Sequence, residues 1–313
     1  MTPDPRPPLV ALFGPTGSGK SEVAHAAALA LGGEIVSADA FAVYRGMDIG
    51  TDKPSAEARR EVRHHLVDVA EPEESFSAGR WAAEARRAID GIAGRGRIPI
   101  VVGGSGFYLS ALLEGLPEGA LRDERLREGL HEWALSRGET AARRVLTLND
   151  PASAARIATG NLRYVLRALE ILLLTGAPAS ARLAPDDAWA RRFRVVRIHL
   201  RPDPAALGVR IEARVRRMLD AGWGDEVRRL LDRGLSVDAN SFQAIGYREV
   251  VEWVLGRTSR QQAETEIVRA TRGLAKRQAT WSRREREARR VEPEEALDVI
   301  LALVGGTGEG ETR

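Results

Sequence analysis

Apolar runs and amphipathic stretches alternate along the first hundred residues of the chain. The predicted strands lie at residues 9–13, 34–39, 64–69 and 98–102. Residues 21–31 and 78–93 carry apolar side chains at helical spacing and are predicted to be helices. Such alternation is typical of a parallel sheet with helices on both faces, so the pattern predicts an α/β fold.

The pattern changes from about residue 114. Residues 121–175 lack convincing strands and are predicted to form several helices, one with a strong apolar stripe. That stripe consists of Leu162, Val165, Leu166, Leu169, Leu172 and Leu173. A stretch rich in proline and aspartate, residues 177–187, predicts a linker, and residues 194–200 predict a strand that returns to the sheet. Beyond Pro204 the chain is predicted to be helical as far as the glycine-rich tail at Gly305.

These patterns predict the domain organisation. Residues 9–113 and 194–304 should form an α/β core with a C-terminal helical layer, and residues 114–193 an all-helical insertion domain. Residues 1–8 and 305–313 are expected to be a disordered leader and tail. Because the leader has no apolar core and no run reaches the ~18 apolar residues that span a membrane, we expect a cytoplasmic protein.

Composition excludes some chemistry and points to a polyanionic partner. The 313 residues include no cysteine, which excludes disulfides, thiolate zinc sites and cysteine nucleophiles. The formal net charge is +3, but residues 269–290 alone carry +7 and the rest of the chain carries −4. A basic helix of this kind favours nucleic acid as a partner, although a solvated helix face explains the composition equally well.

A glycine-rich motif joins the first strand to the first helix. The residues Gly14, Pro15, Thr16, Gly17, Ser18, Gly19, Lys20 and Ser21 match G-x-x-x-x-G-K-S. In this context the backbone N–H groups can surround a phosphate at a helix N-terminus. Lys20 can reach a terminal phosphate, and the Ser21 hydroxyl can ligate Mg²⁺. The motif therefore predicts a P-loop NTPase-like core that binds a nucleotide or another di- or triphosphate.

Other polar residues lie at or near the predicted strand ends. Asp39 could be a general base, a second-shell magnesium ligand or the cap of a turn, and position alone does not decide. Ser105 offers a hydroxyl or belongs to a tight turn. The adjacent pair His64 and His65 is more consistent with structure than with metal binding, since neighbouring strand residues face opposite sides. Arg214 lies on a predicted helix, and spacing alone favours a solvent-exposed face for it.

The absence of two motifs narrows the possible classes of protein. There is no N-K-x-D motif of a regulatory GTPase, and the fourth strand runs into two glycines where a motor ATPase has a carboxylate. Small-molecule kinases and group transferases remain.

Longer motifs closely resemble the tRNA dimethylallyltransferase family, also called tRNA isopentenylpyrophosphate transferases. They are G-P-T-G-S-G-K-S at 14–21, S-A-D-A-F-A-V-Y-R-G-M-D-I-G-T-D-K-P at 37–54, H-H-L-V-D at 64–68, V-V-G-G-S-G-F-Y at 101–108, R-A-L-E at 167–170, Q-A-I-G-Y-R-E at 243–249 and T-R-G-L-A-K-R-Q-A-T-W at 271–281. They follow the family's order from residue 9 to about 285.

The resemblance implies transfer of a dimethylallyl group from dimethylallyl diphosphate to N6 of the adenosine 3′ to a tRNA anticodon, assisted by Mg²⁺. It implies that Asp39 is the general base, that the P-loop holds the pyrophosphate and that Ser105 and Arg214 assist catalysis. The residues implied to contact the tRNA anticodon stem-loop are Ala40, Phe41, Ala42, Asn161, Arg163, Arg167, Gln243, Gly246, Tyr247, Arg248, Arg272, Lys276, Arg277 and Arg283. We expect a monomer.

The chain departs from the family pattern at two of these positions. Ala40 and Ala42 stand where the family often has Ser and Gln, so any side-chain hydrogen bond to tRNA from those positions is lost. Two other hypotheses compete with the prenyltransferase. A small-molecule kinase would use ATP at the same loop, and a nucleotide-gated RNA-binding module would bind tRNA without modifying it.

Overall fold

A six-stranded parallel sheet organises the larger part of the protein. The computed structural model describes residues 4–115, 123–182, 188–283, 285 and 287–305. The strands are β1 (Pro8–Phe13), β2 (Glu34–Ser37), β3 (His64–His65), β4 (Pro99–Gly103), β5 (Arg194–Leu200) and β6 (Arg289–Val291). Their order across the sheet is β3-β2-β4-β1-β5-β6, and every pairing is parallel. The predicted α/β fold class is confirmed.

The central strand β1 is apolar along its length because both of its faces are covered. Val10 and Leu12 pack in one cluster with small residues of the first helix and with Ile300 near the C-terminus. Leu9 and Phe13 alternate with them, are equally buried and point to the other face. Continuous burial of this kind is what distinguishes a parallel sheet with helices on both sides.

The chain divides into two compact units, Met1–Leu112 with Trp189–Arg313, and Leu113–Ala188. The first contains the sheet, and the second is helical. The helices are α1 (Lys20–Leu31), α2 (Ala56–Glu61), α3 (Ala78–Gly94), α4 (Gly106–Leu113), α5 (Glu124–Arg137), α6 (Glu139–Asn149), α7 (Pro151–Arg156), α8 (Leu162–Thr175), α9 (Pro204–Asp220), α10 (Trp223–Asp232), α11 (Tyr247–Val254), α12 (Arg260–Ser282) and α13 (Ala296–Gly305). Short 3-10 turns cover Ala179–Arg182, Ala190–Arg192 and Asn240–Gln243.

The helical unit has its own core. The apolar stripe predicted on α8 contributes Val165 and Leu169 to it, whereas Leu173 at the end of the stripe is 60% exposed. At the start of α7, the Asp150 carboxylate accepts hydrogen bonds from two backbone N–H groups, of Ser153 at 3.0 Å and Ser180 at 2.9 Å. These bonds lower the pKa of Asp150 to about 2 against the opposing effect of its burial.

Two sequence predictions of secondary structure are wrong. The predicted strand at 64–69 contains only two strand residues, because Leu66 and Asp68 adopt positive φ angles of 61° and 57° and turn the chain away. The chain beyond Pro204 is predicted to be helical, but it also contains the strand β6, which pairs with β5. The basic segment 269–290 is therefore not one helix. It is the end of α12, a short connection and the edge strand β6.

The chain ends differ from the prediction in two respects, one of which is that α13 includes Gly305, the first residue of the predicted tail. The first strand begins at Pro8, inside the predicted leader, and the Arg194 N–H donates to the Pro7 carbonyl at 2.9 Å. The predicted disordered segments otherwise fall partly on residues 1–3 and 306–313, which lie outside the described residues. Within the described part of the chain, no helix combines the length and hydropathy needed to cross a membrane.

Candidate active site

The predicted site residues meet at the carboxyl edge of the sheet. The neighbouring strands β1, β4 and β2 end in the glycine-rich loop, the Gly103–Ser105 turn and Asp39. A methyl group on Gly103 would lie only 2.3 Å from the Ala38 carbonyl oxygen, so the last two of these loops pack directly on each other. This edge is where ligands of open parallel sheets bind.

The glycine-rich loop has the conformation that surrounds an anion. Gly17 and Gly19 have φ angles of 80° and 85°, a region that residues with side chains rarely adopt. The Lys20 ammonium donates to the Pro15 carbonyl oxygen at 2.6 Å. Burial, and to a smaller extent the charge of Arg214, lower the pKa of Lys20 to about 7. An enclosed ammonium beside a second cation is a site prepared for a multiply charged anion.

Arg214 of α9 reaches this loop. Its Nη1 donates a hydrogen bond to the Thr16 hydroxyl, and its Nε lies 2.9 Å from Asp52 Oδ2. Spacing alone favoured a solvent-exposed side chain, and the structure shows that Arg214 is four-fifths buried. The guanidinium therefore belongs to the phosphate-binding edge, where its flat, multidentate geometry suits a diphosphate.

Two side chains of α12 join these loops, and sequence analysis did not assign either to the site. Gln278 Oε1 accepts a hydrogen bond from the Thr16 N–H at 2.8 Å. Its amide also packs on Gly104, where a methyl group would lie 2.2 Å from Nε2, and the Trp281 ring fills the space beside Gly106. The K-R-Q-A-T-W motif carried the signal, but one sequence does not show which motif residues point inward.

Asp39 lies immediately beyond β2. One carboxylate oxygen accepts hydrogen bonds from the backbone N–H groups of Phe41 at 2.8 Å and Ala42 at 3.2 Å. Asp39 is therefore the cap of the following turn, one of the three roles that its position suggested. These bonds use one oxygen and fix the orientation of an exposed carboxylate, so the cap is compatible with proton transfer.

The Ser105 hydroxyl accepts a hydrogen bond from the Tyr108 N–H at 3.3 Å and so caps α4. Tyr108 itself is buried and stacks on Trp81, with ring centroids 4.6 Å apart. Burial, and to a lesser extent the charge of Asp39, raise the pKa of the Tyr108 hydroxyl above its ordinary value. The phenol therefore stays protonated beside the Asp39 turn.

An aromatic layer lies behind the glycine-rich loop on the β1 and β5 strands. The Phe13 ring stacks on the His199 imidazole at a centroid distance of 5.5 Å and meets the Trp281 ring edge-on at 5.6 Å. Burial, aided by nearby cations of which Arg290 is the strongest, lowers the pKa of His199 to about 4. His199 is therefore a neutral, buried side chain near neutral pH.

The segment 47–53 that carries Asp52 is fixed from two sides. The buried Glu226 carboxylate accepts hydrogen bonds from the N–H groups of Asp48 and Ile49, both at 2.7 Å, and from the Tyr247 hydroxyl at 2.8 Å. The Lys53 side chain is 1% exposed and donates to the Tyr44 carbonyl oxygen at 2.5 Å, with ion pairs to Asp48 and Asp68. Much of the long motif at 37–54 therefore builds this segment.

The implied tRNA-contacting residues fall into exposed and buried sets. The exposed set includes four basic residues on or just after α12, Arg272, Lys276, Arg277 and Arg283. On the same helix Ala275 and Gln278 face inward. Gln243 and Arg248 are exposed and line a groove of about 260 Å³. In the helical unit Asn161 and Arg163 are exposed, while Arg167 forms an ion pair at 2.7 Å with the buried Glu170.

Three of the residues implied to contact tRNA are buried. The side chains of Ala42 and Tyr247 are 4% and 0% exposed, and the buried Gly246 packs on the Trp223 ring. The Tyr247 ring and hydroxyl complete the Glu226 cluster, and the contact of this residue with tRNA stays a prediction. The neighbouring residues Ala40 and Phe41 are half-buried at the Asp39 turn.

The donor set at the loop suits Mg²⁺. Ser21 is exposed at the first turn of α1, next to Lys20, and supplies a hydroxyl oxygen. Mg²⁺ commonly takes one or two protein oxygens and completes its shell with water and substrate phosphates. Among the described residues no group of three or more histidines and carboxylates could form a protein-only metal site. His65 instead lies 2.6 Å from the buried Glu34 carboxylate, in agreement with a structural histidine pair.

The sheet order and the glycine-rich loop define a protein with a P-loop-like α/β fold. A model of the family described as IPP transferase matches residues 42–285, more than half of the chain, so the protein belongs to that family and is a prenyl-transferring enzyme. A tRNA dimethylallyltransferase of Solibacter usitatus is 43% identical over 280 residues, which are 90% of this chain and 91% of the relative.

Solved structures agree with this assignment. The tRNA isopentenylpyrophosphate transferase of Bacillus halodurans is 37% identical, with a TM-score of 0.70 over 96% of this chain and 97% of that protein. A eukaryotic dimethylallyltransferase acting on tRNA shares the fold, with a TM-score of 0.80 at 23% identity over 98% of this chain and 82% of its own.

Proposed function

We propose that this protein transfers a dimethylallyl group from dimethylallyl diphosphate to N6 of the adenosine 3′-adjacent to a tRNA anticodon and releases diphosphate. The observation that carries the proposal is the convergence of Lys20 and Arg214 on one glycine-rich loop, one strand from the Gly103–Ser105 turn and two strands from Asp39. The names of its curated relatives support tRNA as the acceptor and dimethylallyl as the transferred group, and the diphosphate donor and the N6 position are part of our proposal.

The chemistry assigns a task to each part of the edge. The bond between the allylic carbon and the diphosphate oxygen breaks, and the adenine nitrogen forms a new bond to that carbon. Asp39 accepts the proton that the nitrogen loses, because the exocyclic amine is a poor nucleophile while its lone pair is delocalised. Lys20, Arg214 and the loop N–H groups stabilise the charge that develops on the leaving diphosphate.

Two further components complete the proposal. Mg²⁺, held by Ser21 and by the phosphates themselves, would neutralise leaving-group charge. The adenosine must leave the anticodon-loop stack to reach a strand-end site, as in other enzymes that modify bases. The exposed basic residues of α12 would position the RNA through its phosphates.

Mass spectrometry of tRNA incubated with the protein and dimethylallyl diphosphate tests the proposal. A mass gain of one dimethylallyl group on the adenosine next to the anticodon is expected. An unmodified tRNA that nevertheless binds the protein would contradict it. The small-molecule kinase hypothesis is tested by measuring whether ATP or dimethylallyl diphosphate protects the protein against thermal unfolding.

A further inference from the structure

We propose that Asp52 is a positioning residue that holds Arg214 toward the diphosphate. This inference rests on the proposed function in taking diphosphate as the ligand of the loop. Arg214 has two contacts that point in different directions, Nη1 to the Thr16 hydroxyl and Nε to the Asp52 carboxylate. Asp52 therefore anchors one edge of the guanidinium while the other edge is presented to the loop.

The ion pair acts chiefly through charge. Arg214 Nε is buried and lies 2.9 Å from Asp52 Oδ2, but its N–H is not aligned on that oxygen and makes no other hydrogen bond in the described chain. A buried guanidinium without a nearby negative charge is costly. Before the diphosphate binds, Asp52 is the carboxylate in contact with this cation, and it keeps Arg214 beside the loop.

The backbone conformation at Asp52 is fixed by hydrogen bonds in its own segment. Its φ angle of 53° lies in the left-handed region, which costs energy for a residue with a side chain. The conformation persists because the Asp52 N–H donates to the Ile49 carbonyl oxygen at 3.0 Å and the Lys53 N–H to the Asp48 carbonyl oxygen at 3.0 Å. The buried Glu226 holds the start of the same segment. These hydrogen bonds fix the backbone from which the Asp52 carboxylate reaches Arg214.

A second arginine provides a matched control. Arg217, one turn further along α9, lies 3.5 Å from the other Asp52 oxygen and is 66% exposed. It shares the carboxylate with Arg214, but its contacts in the described chain do not extend to the glycine-rich loop. If Asp52 acts on the diphosphate through Arg214, removing Arg217 should matter little.

The test is a double-mutant cycle on the binding of inorganic diphosphate to the full chain, measured by calorimetry without tRNA. Asp52→Ala should weaken binding about tenfold, and Asp52→Asn should do the same because it keeps the shape but not the charge. In an Arg214→Ala background, Asp52→Ala should cause no further loss. Arg217→Ala should stay within about twofold of the wild type.

Three results would overturn the inference. They are additive losses in the double mutant, an Arg217→Ala loss as large as that of Asp52→Ala, and diphosphate binding that is unchanged or tighter in Asp52→Ala. Asp52→Glu, which keeps the charge, should recover part of the affinity, whereas a merely structural role would show as a lowered melting temperature without selective coupling to Arg214. Because diphosphate binding needs no prenyl transfer, a failure of the proposed function would leave this cycle interpretable.

Discussion

The phosphate-binding edge and the outward face of α12 differ in how their charges are held. At the edge, Lys20 and Arg214 are enclosed, and each is fixed by defined oxygen partners. On α12, Lys276 and Arg277 are exposed, and Arg272 pairs with Glu212 at the surface. An enclosed charge changes the affinity for a small ligand strongly, and its contribution depends on geometry. An exposed charge changes affinity only a little, and salt screens its contribution.

The largest effect is expected at Asp39, next to the enclosed charges. Asp39→Asn keeps the size of the side chain and its capability to cap the turn but removes the proposed base. We expect turnover to fall about 10²–10⁴-fold. Steady-state kinetics with tRNA and dimethylallyl diphosphate measure it, and near-normal turnover would leave Asp39 as a cap only. Binding of both substrates serves as the control and should be retained.

Lys20→Ala should produce the next largest effect. The variant removes a charge-assisted contact at the loop, and we expect diphosphate affinity to fall about 10- to 100-fold. Affinity for unmodified tRNA should stay almost unchanged, since the Lys20 ammonium is enclosed in the loop. Parallel titrations with diphosphate and tRNA separate the two ligands. A collapse of tRNA affinity alone would show that the loop is not the donor site.

The lowered pKa of Lys20 predicts a pH dependence of the same binding step. The free protein holds this group at a pKa of about 7, and a bound anion raises that pKa, so binding takes up a proton. Affinity should therefore be highest below pH 7 and fall about tenfold between pH 6 and pH 8. Calorimetry in buffers of different ionisation enthalpy measures the proton uptake.

Lys20→Met is the control for this pH dependence. The ionisation of diphosphate itself is common to both proteins, so the ratio of their affinities isolates the lysine. If the diphosphate affinities of the wild type and of Lys20→Met change in parallel between pH 6 and pH 8, the pH effect does not come from Lys20.

How much of the site could be predicted from the sequence depends on whether a feature is local or joins distant residues. The glycine-rich loop is a local structure, because its glycines and the flanking strand and helix lie within a few residues of one another. The order of the elements and the buried strand β1 follow from periodicity. By contrast, Gln278 contacts Thr16 across 262 residues, and Asp52 meets Arg214 across 162 residues. One sequence can mark the motifs that contain such residues, but it does not show which distant residues meet.

The edge strand β6 shows a different limit. Arg289 and Arg290 lie within a stretch rich in good helix formers, but their backbone groups pair with β5 and Val291 enters the core. Tertiary pairing overrides local propensity here. Pro293 was a usable signal, because a proline disfavours helical conformation in the residue before it.

The smallest effect, and the one that tests the exposed side of the comparison, concerns α12. Replacing Arg272, Lys276 and Arg283 with Gln should flatten the slope of log affinity for tRNA against log salt by roughly two to three units. Doubling the salt concentration would then weaken binding about four- to eightfold less than in the wild type. Because phosphate contacts do not read bases, different tRNAs should lose affinity alike, and diphosphate binding should not change. A matched variant in which Arg228 and Arg229 of α10 and Arg233 just after it are changed to Gln removes the same charge and should keep the wild-type slope. Equal slopes in all three proteins would mean that the α12 face is solvated surface and that the RNA binds elsewhere.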